Sequence, residues 1–460
     1  MSCIIFLVFP CYELINHSTN SKDISKTQNH FPFMKKLCLL PFLLLFVCCN
    51  QGSKKVDADK KFKTLNTLVT DLDYFTLQEE FNNNKDQIHK RDSLYLEAIL
   101  NNAFNNPEKS NEAIDAFFKT PKEETNDSLA QKMLVTKLTN HIYRAKYKEA
   151  LKINEELQQQ YASFLDSTKM EELKNTHKIW KALENTPPQE VSIASDIALP
   201  IIKDKAGLST LATKIGNTTT DFVFDTGANF SVIQRSVAEI LGMTLIPAQF
   251  DVDAATGLKV KSDLAVADKL ELGEITLKHV VFLVFDDKDL SFPTIDYQIK
   301  GILGFPVIRA LQEIQLTKDM LYVPQNPTNY NLNNLAYNEY MPIVKATYKG
   351  DVLRFNFDTG AQSTSLYSKF YNKYKVDIDA NYNKTSLNTG GAGGHVALEG
   401  YVINSIKLSI GEAEATLNTI QLFPEKIGVT DKLHGNLGQD FIGQFNTMII
   451  SFKSASILFR

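Results

Sequence analysis

The sequence predicts a multi-domain chain: an N-terminal all-α helical domain followed by an all-β region in two similar lobes. Two observations predict it. Phe224-Asp225-Thr226-Gly227-Ala228 returns as Phe357-Asp358-Thr359-Gly360-Ala361, with the same order of parts around each copy. Upstream of both, apolar residues recur at helical spacing as far as Ala182, and Asn185-Thr186-Pro187-Pro188 then breaks the pattern. With 460 residues the chain is long enough for about three domains. Hydrophobic content of 43% and charged content of 22% are those of a globular protein. The formal charge is only −4 and no basic stripe is interleaved with aromatics, so nucleic acid is not an expected partner.

All five cysteines, Cys3, Cys11, Cys38, Cys48 and Cys49, lie in residues 1–49. The rest of the chain therefore has neither a disulfide framework nor a cysteine-ligated metal. Met34-Lys35-Lys36, the apolar run Leu37 to Val47 and Cys48-Cys49 have the charge and length of a secretory signal, too short to span a bilayer. The stretch resembles a bacterial lipoprotein signal, which implies a lipidated cysteine at the cut: Cys49, with Cys48 as the alternative. Met34 is the expected start. Residues 1–33, whose apolar run Ile4 to Pro10 has no basic residue before it, are otherwise a longer leader or anchor. The expected location is the cell envelope, periplasmic or surface-facing, by export and a lipid anchor in the membrane. Gln51 to Lys61 is charged and polar and reads as a tether, assigned to residues 50–61.

Residues 62–185 form the helical domain. In Tyr147 to Leu157 apolar residues fall on one helical face, with Glu and Lys on the other, and Glu112 to Phe118 is similar. The two resemble tetratricopeptide helices near the right period, without the usual Trp, Gly and Pro marks. A plain bundle and a segment covering a cleft are the other readings.

Residues 192–324 and 341–460 are the two β halves, joined by an Asn- and Pro-rich linker, 325–340. In the first, Leu208 to Ile215, a Gly216-Asn217 turn and Thr219 to Phe224 make a hairpin leading into the Asp225 turn. A helix-like stretch, Val232 to Leu241, follows, and then a hairpin of Leu264 to Leu272 and Ile275 to Phe285. The second half repeats these parts as Pro342 to Tyr348, Val352 to Phe357, Ile403 to Ile410 and Ala413 to Phe423. Between them lie glycine-bearing hairpins, Ala254-Ala255-Thr256-Gly257 and Thr389-Gly390-Gly391-Ala392-Gly393-Gly394-His395. Downstream come Gly301-Ile302-Leu303-Gly304 and Gly435-Asn436-Leu437-Gly438, each before another strand pair. Each Asp is expected in a tight turn whose glycine leaves the usual backbone regions. The hydroxyl of each turn's threonine can bond neighbouring backbone or its mate in the other turn.

These residues resemble the aspartic proteases, and more narrowly the retropepsin-like branch in which Ala follows Asp-Thr-Gly. The resemblance covers about Ser192 to Arg460 and implies a double-lobed acid-protease fold in one chain, a monomeric protease unit. It further implies a catalytic pair, Asp225 and Asp358, with Thr226, Gly227, Thr359 and Gly360 supporting their turns. Flaps would carry Thr256 and Gly257 in one half and Gly390, Gly391, Gly393 and Gly394 in the other. The Arg that often follows the downstream glycine in viral members is replaced by Phe305 and Gln439. No cofactor or metal is implied. His279 reads as structural, and His395 and His434 as loop residues.

The implied activity is that of an aspartic endopeptidase on an extended peptide or protein substrate. Two carboxylates about 3 Å apart share a proton, the ionised one activating a water and the protonated one polarising the scissile carbonyl. The alternative is a non-catalytic envelope lipoprotein that binds peptide, or a partner through its helical domain. Ala228 and Ala361 stand where pepsin-like relatives carry a hydroxyl, so the shared proton is expected to persist to higher pH unless backbone N–H groups supply the missing bonds.

Overall fold

The computed structural model describes residues 50–121, 127–253, 259–292, 296–391, 394–425 and 432–460. The leader with Cys48 and Cys49, the flap residues Thr256 and Gly257, and Gly393 lie outside the described residues.

Among the described residues seven α-helices come first: α1 Asn50–Thr70, α2 Tyr74–Asn84, α3 Lys90–Ala103, α4 Pro107–Lys119, α5 Asp127–Tyr143, α6 Tyr147–Gln160 and α7 Ser167–Ala182. Local chemistry sets several starts. Asp73 caps α2 by accepting from Thr76 N–H at 3.2 Å, Asp166 caps α7 by accepting from Lys169 N–H at 2.7 Å, and Pro107 opens α4. Helices adjacent in sequence pack as neighbours. Gln51 to Lys61, expected as a tether, is part of α1. Its polar residues share a helix whose Ala58 and Leu65 are buried, and that apolar face is what a tether lacks.

The β region forms two large sheets with one plan. In the first, five strands run in the order Ile275–Phe285, Ser231–Gln234, Gly301–Leu303, Thr218–Phe224, Ser209–Ile215. In the second the order is Ala413–Leu422, Ser365–Leu366, Gly435–Leu437, Asp351–Phe357, Met341–Tyr348. Each sheet adds a long hairpin, Thr244–Asp253 with Lys259–Leu272 and Lys384–Gly391 with Gly394–Ile410. A further sheet draws on both halves: Ile197–Pro200, Met320–Val323, Glu313–Leu316, Met448–Ser451, Ser456–Phe459. Glu313 to Leu316 pairs antiparallel with Met448 to Ser451 and fixes one half against the other.

Two expectations need correction. The helix-like stretch from Val232 is a strand as far as Gln234, and only Arg235–Ile240 is helical. All four residues Ser231 to Gln234 are buried between two neighbouring strands, and so short a segment with Val232 and Ile233 adjacent fits strand and helix patterns alike. Within the linker, Leu335–Asn338 is a strand on Met341–Tyr348, and Leu335, Ala336 and Tyr337 are buried.

The helical domain packs on this strand and on the backs of both halves. Ala336, Ile343, Leu433 and Ala455 join the core of α1 to α5. Phe305 is buried against Tyr143, Tyr337, Tyr340 and Phe452.

Candidate active site

Each Asp ends a central strand. Phe224 pairs in parallel with Leu303 and Phe357 with Leu437, so each Gly-x-Leu-Gly segment lies alongside an Asp-Thr-Gly turn. The bonding is duplicated. Asp225 N–H donates to Leu303 O and Asp358 N–H to Leu437 O, both at 3.1 Å, while Phe305 N–H donates to Ala228 O and Gln439 N–H to Ala361 O, both at 2.8 Å. Gln439 Nε2 also donates to Thr359 O at 2.7 Å, a role open to an amide and closed to Phe305.

The turns are cross-linked through their threonines. Thr226 N–H donates to Thr359 Oγ1 and Thr359 N–H to Thr226 Oγ1, both at 3.0 Å. Thr359 Oγ1 donates on to Phe224 O at 3.3 Å, and Thr226 Oγ1 reaches Phe357 O at 3.5 Å. These buried reciprocal bonds hold the two aspartates at one place. Neither Gly227 nor Gly360 is among the residues with positive φ, so the expected reason for glycine there is corrected. The reason is close approach: a Cβ on Gly227 would fall 2.6 Å from Asp358 Cγ, and one on Gly360 2.7 Å from Asp225 Cγ. Each carboxylate rests on the opposite turn's glycine.

Both aspartates are fully buried. Gly227 N–H donates to Asp225 Oδ1 and Gly360 N–H to Asp358 Oδ1, both at 2.8 Å, and Ala361 N–H reaches Asp358 Oδ1 at 3.1 Å. Backbone thus supplies the inner oxygens. At the outer oxygens the halves differ: Asn436 Nδ2 donates to Asp358 Oδ2 at 3.4 Å, whereas Asp225 Oδ2 has no partner. Burial raises the carboxyl pKa of both; at Asp225 the Asp358 charge adds to the rise and the Gly227 and Ala228 N–H groups oppose it, while at Asp358 the Gly360 N–H, the bond with Asp225 and the Asn436 amide oppose it. The unpartnered Asp225 oxygen and its shifted pKa agree if a single proton sits between the carboxyls.

Of the flap residues, Gly390 and Gly391 pair with His395 and Gly394 at the end of the second long hairpin. His434 lies in the bend before Gly435, as a loop residue, and is buried there: its Nδ1 accepts from Arg354 N–H at 3.1 Å, and burial pushes its pKa down to about 3. Among the described residues no cluster of three His, Cys, Asp or Glu could hold a metal ion. Sequence reading missed Asn436 and its partner Asn356. The available signal was a polar residue inside Gly-x-Leu-Gly where the other copy has Ile302.

Residues 211–307 match the family model described as aspartyl protease. No curated protein matches the chain. Among solved structures it is similar to a retropepsin-like aspartic protease from Rickettsia conorii, at 20% identity over 29% of this chain and 90% of that one, with a TM-score of 0.20. Residues 211–307, which carry the first Asp-Thr-Gly-Ala turn, are thus similar to the aspartyl protease family, and the same turn recurs at Asp358 outside the matched segment.

Proposed function

We propose that the chain is a single-chain aspartic endopeptidase of double-lobed acid-protease fold, with Asp225 and Asp358 as its dyad. The observation that carries this is the pair of buried carboxyls, each seated on the other turn's glycine and locked by crossed threonine bonds. A binding protein has no chemical need of that arrangement. An extended peptide lies across the pair, bonded by the two long hairpins. Water attacks the scissile carbonyl carbon while one carboxylate takes a water proton and the other carboxyl gives its proton to the carbonyl oxygen. The intermediate then collapses, the C–N bond breaks, the nitrogen takes the first proton and the oxygen returns the second.

Both carboxyls are shifted upward, so the singly protonated pair persists to higher pH than two free carboxyls would allow, and turnover is bell-shaped with pH. The test is digestion of a mixed peptide library by the full chain, with and without pepstatin. Pepstatin-sensitive cleavage falling at least about a hundredfold in Asp225→Asn and in Asp358→Asn is expected. Cleavage that survives either change removes the proposal.

The helical domain is proposed to brace the halves and to offer a surface to a protein partner. Lys35-Lys36, the apolar run and Cys48-Cys49 support a lipid anchor in the cell envelope. A fatty-acid probe should label the mature protein, and label persisting after both cysteines are changed to Ser would sink the anchor.

A further inference from the structure

We propose that Asn436, held by Asn356, is a positioning residue that makes the two aspartates unequal, fixing Asp358 as the ionised base and Asp225 as the proton-bearing acid. The inference rests on the dyad reading and deepens it. In the second half Asn356 Nδ2 donates to Asn436 Oδ1 at 2.7 Å, which turns the Asn436 amide so that its Nδ2 faces Asp358 Oδ2 at 3.4 Å. Both asparagines are almost wholly buried. The strand register makes the comparison unambiguous: Asn356 lies opposite Asn436, and in the first half Val223 lies opposite Ile302. Two apolar side chains in one half thus stand where two amides stand in the other.

An amide N–H aimed at a buried carboxylate favours its charged form. Asp358 has that donor on its outer oxygen, and Asp225 has none. A proton shared between the pair therefore resides on Asp225, whose outer oxygen becomes the donor it otherwise lacks. In hydrolysis Asp358 then takes the water proton and delivers it to the leaving nitrogen. Asp225 protonates the carbonyl oxygen and recovers its proton on collapse, so the resting state is restored. Asn356 Oδ1 has no partner either, a cost that a purely structural pair in an apolar core would avoid.

Other groups near the pair do not compete for the proton. Burial and the Asp358 charge raise the Tyr367 phenol, which stays neutral. His434, two residues before Asn436, is neutral above about pH 3, and Arg354, two before Asn356, is paired with Asp73.

Carboxyl-carbon NMR of the full chain, labelled at aspartate and assigned through Asp225→Asn and Asp358→Asn, follows each ionisation without requiring turnover. Asp358 is expected to ionise first. In Asn356→Val with Asn436→Ile, which gives the second half the apolar pair of the first, the Asp358 midpoint should rise by about half to one pH unit. The acid limb of kcat/KM should move up by the same amount. The inference is overturned if Asp225 ionises first in the unaltered chain, a result independent of how the double variant folds. It is equally overturned if the folded double variant leaves midpoint and limb in place. The expected titration order in a chain without peptidase turnover would overturn the function and the base and acid roles with it, while the inequality that Asn436 imposes on the two carboxyls would stand.

Discussion

Behind Asp225 stand Val223 and Ile302; behind Asp358 stand Asn356 and Asn436. The turns themselves differ little, with backbone bonds of equal length in both halves and each threonine answering the other. The halves differ again where the helices grip them. On the first, Asn175 of α7 donates to Asp251 O at 2.7 Å and accepts from Asp251 N–H at 2.9 Å, and Lys178 donates to Gln249 O at 3.1 Å. On the second, Asp73 at the start of α2 pairs with Arg354, whose Nη2 also donates to Asp71 O at 3.3 Å, and Tyr74 Oη donates to Asn338 at 3.0 Å. A duplicated framework thus keeps the bonds that hold its two carboxyls, while the surroundings of each copy specialise. The first half is clamped by hydrogen bonds to strand backbone and by Arg309, which donates to Asn105 Oδ1 at 2.6 Å and Tyr143 O at 2.7 Å, the second through a buried ion pair.

That contrast sets the largest expected effect. Asp73→Ala strips the partner from a guanidinium that is only 7% exposed and removes the α2 cap, at a cost of about 3–5 kcal/mol in unfolding free energy. Adding Arg354→Met should recover part of it, since the uncompensated charge goes too. Asn175→Ala removes two neutral backbone bonds and should cost about 1–2 kcal/mol. It should also speed amide exchange in the Thr244–Asp253 strand while leaving Lys384–Gly391 unchanged. Denaturant unfolding and hydrogen exchange measure both. A loss in Asp73→Ala no larger than in Asn175→Ala would break the comparison.

Much of this organisation was legible because a repeat carries its own control. One Asp-Thr-Gly is a turn; two, each followed by Gly-x-Leu-Gly, give the parallel strand pairing that the structure contains. What was not legible depends on partners distant in sequence. Val232 belongs to a strand only because Gly301–Leu303 and Ile275–Phe285 flank it, and in the linker strand Ala336 is buried in the core of α1 to α5 while Leu335 and Tyr337 are buried in the core of the β halves. Gly227 looks like a residue chosen for backbone freedom until the other turn brings Asp358 against it. Asn436 stood in plain view in the motif, but its role needs Asn356, eighty positions earlier, alongside it.

The smallest expected effect concerns a device present in one long hairpin. The pairing of Thr244–Asp253 with Lys259–Leu272 shifts register between Ile246 and Phe250, with Gln249 at φ +50°. Lys384–Gly391 pairs with Gly394–Ile410 through an unbroken register. Asp263 holds the irregularity. Its Oδ1 accepts from Ala248 N–H at 2.9 Å, Gln249 N–H at 3.1 Å and Gln249 Nε2 at 2.8 Å, and its Oδ2 from Arg235 Nη2 at 2.8 Å. Burial alone would raise this carboxyl, but the N–H donors and Arg235 outweigh it and hold the pKa down at about 2. A carboxyl depressed in the folded chain adds stability that is fully present above its unfolded pKa of about 3.9 and is lost as pH falls towards 2. The stability difference between the natural chain and Asp263→Asn should therefore be constant above about pH 5 and narrow between about 4 and 2. The group keeps some solvent contact, so the change is modest. Denaturant midpoints across that range give the answer: a difference that stays level through the acid window would mean that Asp263 holds the bulge by shape and not by charge.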